Sequence, residues 1–219
     1  FNTMRPDYES KWDDLKIFIQ YGILTDEKFA EKAQDFMLWK NVEGKYFTPK
    51  EYLEKVKENQ TDKNKTVVLL YVDDPVEKHT FLEAARGKGY DVLLLTEDVD
   101  EFCLQILRTY PRKDAEGKDG TVEFKNVNSG DLGLETEEEK KAAEDATAEN
   151  KALFDAMKDA LNGKVKEVKV STRLKDHPVC LSADGPLSIE MEKVLSKQPG
   201  SEGVKSDKVL ELNANHPVF

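Results

Sequence analysis

The chain has 219 residues, a net charge of −11 and 35% charged residues, enough length for one sizeable core or two of roughly 100 residues each; two are expected. Its lysines and arginines are interspersed with acids instead of clustered, which excludes a general nucleic-acid binder. No run approaches the roughly 20 apolar residues that cross a bilayer as a helix, so no membrane partner is expected.

In chain order, Trp12, Leu15, Ile17, Phe18, Ile19 and Tyr21 give a broad apolar helical face that stops at Gly22, read as a C-terminal cap. A short helix is expected over 26–36. Thr48-Pro49-Lys50-Glu51 combines an N-cap threonine, a proline at the first helical position and a glutamate three residues after the cap. That pattern starts a helix to about residue 59, with Tyr52, Leu53 and Val56 inward. Next come two continuous apolar runs, Val67-Val68-Leu69-Leu70-Tyr71-Val72 and Val92-Leu93-Leu94-Leu95, with a helix-length segment between them over 75–87. This is the signature of a parallel βαβ unit with a right-handed crossover.

A helix over 99–108 follows, with Val99, Phe102, Cys103, Ile106 and Leu107 at helical spacing. Residues 111–120 are polar and rich in Gly and Lys, 121–127 alternate as a strand, and 128–133 form a turn-rich linker. The domain boundary is placed near Gly133. Thr136-Glu137-Glu138-Glu139 repeats the capping pattern and starts a long helix to Asn162-Gly163, on which Leu153, Phe154, Met157 and Leu161 make a packing stripe. Strands over 165–171 and 179–182, a helix over 187–197 and a strand over 209–212 complete the chain. The expected fold class is α/β, a small parallel-sheet βαβ unit with flanking helices, followed by an α+β domain.

Candidate chemistry is sparse. Asp73-Asp74-Pro75 closes a parallel strand, where open α/β sheets place ligands, and paired acids there can hold Mg²⁺ for phosphoryl transfer. The segment Leu69-Leu70-Tyr71-Val72-Asp73-Asp74-Pro75 resembles the first acidic pair of a receiver domain. The next strand, however, ends at Thr96 and not at a phosphoacceptor aspartate, and the receiver's lysine is missing; the plainer role is to start the following helix. Gly87-Lys88-Gly89 precedes a strand and is a helix stop, not a phosphate loop. His79, His177 and His216 are scattered and pair with no nucleophile. Cys103 and Cys180 lack metal-ligand spacing and read as reduced, partly buried thiols, in keeping with a cytoplasmic setting.

Two apolar features remain. Phe102 follows Glu97, Asp98, Asp100 and Glu101 near a helix start and is expected at the rim. Leu187, Met191, Val194 and Leu195 form an i, i+4, i+7, i+8 stripe flanked by Asp184-Gly185-Pro186 and Pro199-Gly200-Ser201. The stripe either covers the second domain's sheet or presents an adaptable, methionine-bearing surface to apolar partners.

Several segments together resemble the ninety-kilodalton heat-shock chaperone family in its bacterial, HtpG-type branch. They are Tyr8-Glu9-Ser10-Lys11-Trp12, Ile17-Phe18-Ile19-Gln20-Tyr21-Gly22, Glu51-Tyr52-Leu53-Glu54-Lys55-Val56, the run from Gly89 to Phe102, Met157-Lys158-Asp159-Ala160-Leu161, Ser171-Thr172-Arg173-Leu174 and Leu210-Glu211-Leu212-Asn213. Their shared order and spacing span nearly the whole chain. The resemblance implies an excised piece of an ATP-driven dimeric chaperone, an expectation in keeping with the opening Phe1-Asn2-Thr3 and the apolar close at Phe219. Residues 1–133 would be the C-terminal part of the middle domain, with a helical segment over 1–60 and an α/β subdomain over 61–133. Residues 134–219 would be the C-terminal domain without its final dimerisation helices. It further implies no catalytic or cofactor-binding residue here, ATP and Mg²⁺ being bound in an absent N-terminal domain, and a homodimer only in the parent protein. Partners would be unfolded or partly folded client proteins, met by Phe102 and by the helix carrying Leu187, Met191, Val194 and Leu195. The family's aromatic is usually Trp or Tyr, and the 111–133 insert is longer and more polar than usual.

Overall fold

The computed structural model describes residues 4–107, 112–113, 119–120, 122–174, 176–185, 187–197 and 203–219. Most of the polar 111–120 stretch, Pro186 and the Pro199-Gly200-Ser201 flank lie outside the described residues. The elements in chain order are α1 (Arg5–Ser10), α2 (Trp12–Thr25), α3 (Glu27–Ala33), β1 (Trp39–Lys40), β2 (Tyr46–Phe47), α4 (Pro49–Val56), β3 (Val67–Val72), α5 (His79–Gly87), β4 (Val92–Leu94) and α6 (Asp98–Leu107). They continue as β5 (Arg112–Lys113), β6 (Asp119–Gly120), β7 (Val122–Asn126), α7 (Glu137–Glu149), α8 (Lys151–Ala160), β8 (Glu167–Val170), β9 (Val179–Asp184), α9 (Ile189–Leu195) and β10 (Asp207–Leu212). The chain divides into two compact units: the first is 1–77 with 89–125, the second 78–88 with 126–219.

In the first unit the expected parallel pair is present: β3 and β4 run parallel with Leu70 opposite Val92 and Val72 opposite Leu94. β7 flanks the other side of β3, giving the order β4-β3-β7. Strands buried on both faces read as unbroken apolar runs, and Val68, Leu69, Leu70, Val72 and Leu93 are fully buried. Each such side chain contributes roughly 2 kcal/mol by leaving water. Trp39 is the hub of the aromatic core, meeting Phe124 edge-on at 5.7 Å and Tyr52 at 6.1 Å.

Asp91, at the start of β4, gathers buried donors around it. Its carboxylate accepts both from the Asn41 amide at 3.1 and 3.2 Å and from the Tyr52 hydroxyl at 3.0 Å, and it pairs with Lys55. Its backbone N–H donates to Gln60 Oε1 at 2.7 Å, and Gln60 Nε2 donates in turn to the Val68 carbonyl at 2.9 Å. This network ties α4 and β3 to the mouth of β4. Burial, and then the Asp91 charge, raise the Tyr52 phenol well above its usual range, so it stays protonated and donates.

Local signals hold where they are self-contained. Thr48 and Glu51 form the reciprocal cap, Glu51 N–H to Thr48 Oγ1 at 3.3 Å and Thr48 N–H to Glu51 Oε2 at 2.7 Å. The expected stop at Gly22 is corrected: α2 runs on to Thr25, with Gly22 inside it. Glycine is there for close approach, since a Cβ would stand 2.5 Å from the Phe29 ring of α3. Nor is the α2 face wholly inward. Trp12 and Ile23 are buried, whereas Phe18 is 73% and Tyr21 68% exposed. The helix after β3 starts at His79 and not near Pro75, because the Asp74 carboxylate accepts from the N–H groups of Val76 and Glu77 at 2.9 and 2.8 Å and holds a turn there.

In the second unit β10 is central in the order β8-β10-β9, parallel to β8 and antiparallel to β9. Phe154, Val165, Val168 and Val170 form its apolar centre, with Met157, Leu161, Leu210 and Leu212 packed around them. The N–H of Val170 on β8 donates to Thr147 Oγ1 of α7 at 2.9 Å. The long helix expected from Thr136 to Asn162 is instead two, α7 and α8, broken at Asn150. There the backbone N–H and the side-chain amide both reach the Ala146 carbonyl, at 3.3 and 2.9 Å. An asparagine side chain that competes for backbone acceptors ends a helix in this way.

Candidate functional site

Phe102 lies on α6 in the first unit; Leu187, Met191, Val194 and Leu195 belong to the second. On α6 the inner line is Asp100, Cys103, Leu104 and Leu107, all buried, while Phe102 is 40% exposed. A helix turns about 100° per residue, so a residue beside the inner line points outward. The acids ahead of Phe102 have specific partners. Asp100 accepts from the Glu97 backbone N–H at 3.0 Å and from the Gln20 amide, Lys16 pairs with Glu97 at 2.6 Å, and the Tyr71 hydroxyl donates to Glu101 at 3.2 Å. Asp100 is only 7% exposed, and burial raises its pKa despite the donors around it. The sequence alone groups it with the acids of the helix start; its i, i+3, i+4, i+7 register with Cys103, Leu104 and Leu107 is the signal that it faces in.

Leu187, Met191 and Leu195 are half-buried, and Val194 sits on α9, its side chain lying outside the described residues. Ser188 starts the helix by accepting the Met191 N–H at 3.0 Å. The side chain that sequence reasoning missed is Glu192. Its Oε2 accepts from the Ser206 backbone N–H at 2.9 Å and from the Ser206 hydroxyl, and its Oε1 accepts from Lys208 Nζ at 2.9 Å. The Ser206 donors, and then Lys208, hold the carboxyl down at about 2.

The sheet of the second unit carries a buried charge pair. Arg173 Nη2 donates to Glu211 Oε1 at 2.7 Å, with side chains only 5% and 2% exposed. Ser182 and Ser171 hydroxyls complete the carboxylate, each at 2.7 Å. Arg173 Nη1 donates to the carbonyls of Val127 at 3.0 Å and Ser129 at 2.7 Å, and the guanidinium lies 5.2 Å over the Phe81 ring. Burial alone would raise the Glu211 pKa; Arg173 and the two hydroxyls override it and leave it lowered. The segment read as a linker is therefore pinned: the Gly130 N–H also donates to the Ala183 carbonyl at 2.7 Å.

Both cysteines are free thiols, each pushed up to about 12 by burial, and so stay protonated at neutral pH. Among the described residues no three or more His, Cys, Asp or Glu side chains group to hold a metal ion, and no helix is long and apolar enough to cross a membrane.

Comparison with known proteins gives these features a setting. The family model described as Hsp90 protein matches residues 1–219. The chaperone protein HtpG of Clostridium botulinum (strain Langeland) is 42% identical over 217 residues, covering 98% of this chain and 33% of the relative. The HtpG of Clostridium perfringens (strain 13) shows the same identity and coverage, and that of Bacillus subtilis (strain 168) is 39% identical over 219 residues. The chain spans about one third of the length of the curated relatives it matches.

Proposed function

We propose a function from one premise: the chain belongs to the Hsp90 protein family. It is the part of an ATP-dependent, cytoplasmic molecular chaperone that touches unfolded or partly folded client proteins and assists their folding. Residues 1–133 supply the later part of a middle domain and 134–219 most of a C-terminal domain. ATP with Mg²⁺, and the helices that close a homodimer, belong to parts of such a protein outside these 219 residues. The client-contact residues are Phe102, Leu187 just before α9, and the α9 residues Met191, Val194 and Leu195.

The observation that carries this reading is Phe102, a half-exposed aromatic on a helix whose Cys103, Leu104 and Leu107 are buried. An open aromatic offers reversible apolar contact without sequence preference. The methionine on α9 adds a side chain that reshapes to varied partners. Motion driven by nucleotide elsewhere in the parent protein would then change which client conformations are held. Combining Phe102→Ala with Met191→Asp is expected to weaken binding of a reduced, carboxymethylated model protein about tenfold, roughly 1.4 kcal/mol. The melting temperature should stay within about 2 °C, since neither residue is part of a buried core. Unchanged binding by the double variant would overturn the reading.

A further inference from the structure

Helix α9 has seven residues, too few to hold a helical shape in water unaided. Among the described residues no strand or helix packs extensively along it, and its apolar residues Ile189, Met191 and Leu195 are only half-buried. Its firm attachment is polar. Glu192 reaches the approach to β10 and takes three donors there, the Ser206 N–H, the Ser206 hydroxyl and Lys208 Nζ. β10 is the central strand, paired on both sides, so the helix is anchored to the most firmly held strand of the sheet.

The placement of the anchor matters. Met191 and Leu195 are spaced by four and lie in one line on the helix, with Leu187 just ahead of its first turn, and Glu192 is one residue, about 100°, around the axis from Met191. Rolling the helix to turn that line further outward would carry Glu192 away from its three donors. We propose that Glu192 is a positioning residue that tethers α9 to the start of β10 and so limits how much of the Met191–Leu195 line meets an apolar partner. The inference rests on the client-contact reading given above for α9. The tether is charged throughout the neutral range, its carboxyl being held at about 2 by the same donors. It is therefore set by those three contacts and not by protonation near pH 7.

The test uses the whole chain with three variants, Glu192→Ala, Glu192→Gln and Ser206→Ala. Amide exchange is followed over residues 188–196, and binding of a reduced, carboxymethylated model protein is measured alongside. Glu192→Ala should speed exchange in α9 at least tenfold while β8 and β10 exchange as before, and should raise affinity for the probe about threefold. Glu192→Gln, which keeps the shape and loses the charge, and Ser206→Ala, which removes one donor, should fall between it and the parent chain. Unchanged exchange in α9 would overturn the tether. Faster exchange with unchanged affinity divides by the double variant Phe102→Ala with Met191→Asp. If that variant loses binding, the limit on the apolar line is overturned; if it binds normally, the client-contact reading itself is overturned.

Discussion

Replacing Glu211 by alanine should cost the second unit about 3–5 kcal/mol, the range for breaking a buried ion pair from one side. The loss comes from what is left behind. Arg173 would keep its two carbonyl acceptors, Val127 and Ser129, but its charge would stay buried without a counter-ion, and the Ser171 and Ser182 hydroxyls would lose their acceptor. Arg173→Ala should cost a similar amount and also free the 127–130 segment. Replacing both residues with apolar ones of like volume should cost much less than either alone. Amide exchange of β8, β9 and β10 in rising urea reads the effect, and protection equal to that of the parent chain would show that the pair contributes nothing.

The same carboxylate carries a pH dependence whose sign follows from its lowered pKa. Its contribution is full above the unfolded-state value of about 4.3 and is lost as pH falls through the folded-state value. The second unit should thus weaken on acidification below about pH 4, and the gap between the parent chain and Glu211→Gln should narrow over the same interval. A gap that widened there would contradict the assignment.

Asp91→Ala should be nearly as damaging, at about 3 kcal/mol, though the residue pairs with a half-exposed lysine. Two of its donors, the Asn41 amide and the Tyr52 hydroxyl, belong to residues with no exposed surface, and each buried donor left unpaired costs about 1–3 kcal/mol. Tyr52→Phe removes a donor instead of stranding one and should cost about 1 kcal/mol. Tryptophan fluorescence is the natural readout, because Trp39 packs against the Tyr52 ring. A loss below 1 kcal/mol for Asp91→Ala would mean that these donors find other acceptors.

What was legible in the amino-acid order was whatever a short stretch decides for itself. The unbroken apolar runs of β3 and β4 announce a parallel pair, and the Thr48 and Thr136 caps need only residues three apart. Gly22 misled because a glycine that ends a helix and one that admits a neighbouring ring look alike until Phe29 is in place. Asn150 gave no warning because its effect depends on the competition for one carbonyl. Phe18 and Tyr21 belong to a broad apolar face yet stand exposed, since periodicity finds a face without saying what covers it. For the candidate site, Phe102 and the α9 stripe were visible as exceptions to a pattern. Glu192 and its donors, and Arg173 and Glu211, were not, since each contact joins segments far apart in the chain and passes for ordinary surface charge.

The strand order β4-β3-β7 has a consequence for synthesis on the ribosome. β3 is the first of the three to be made and the only one that needs both others, and its second neighbour is completed about 50 residues later. At roughly 5–20 residues per second the nascent chain carries Val67-Val68-Leu69-Leu70-Tyr71-Val72 with at least one edge open for several seconds. A six-residue apolar stretch without charge or proline is the kind that pairs with its like. A protein of this fold therefore passes through an interval in which it is itself a substrate for the helpers of protein folding.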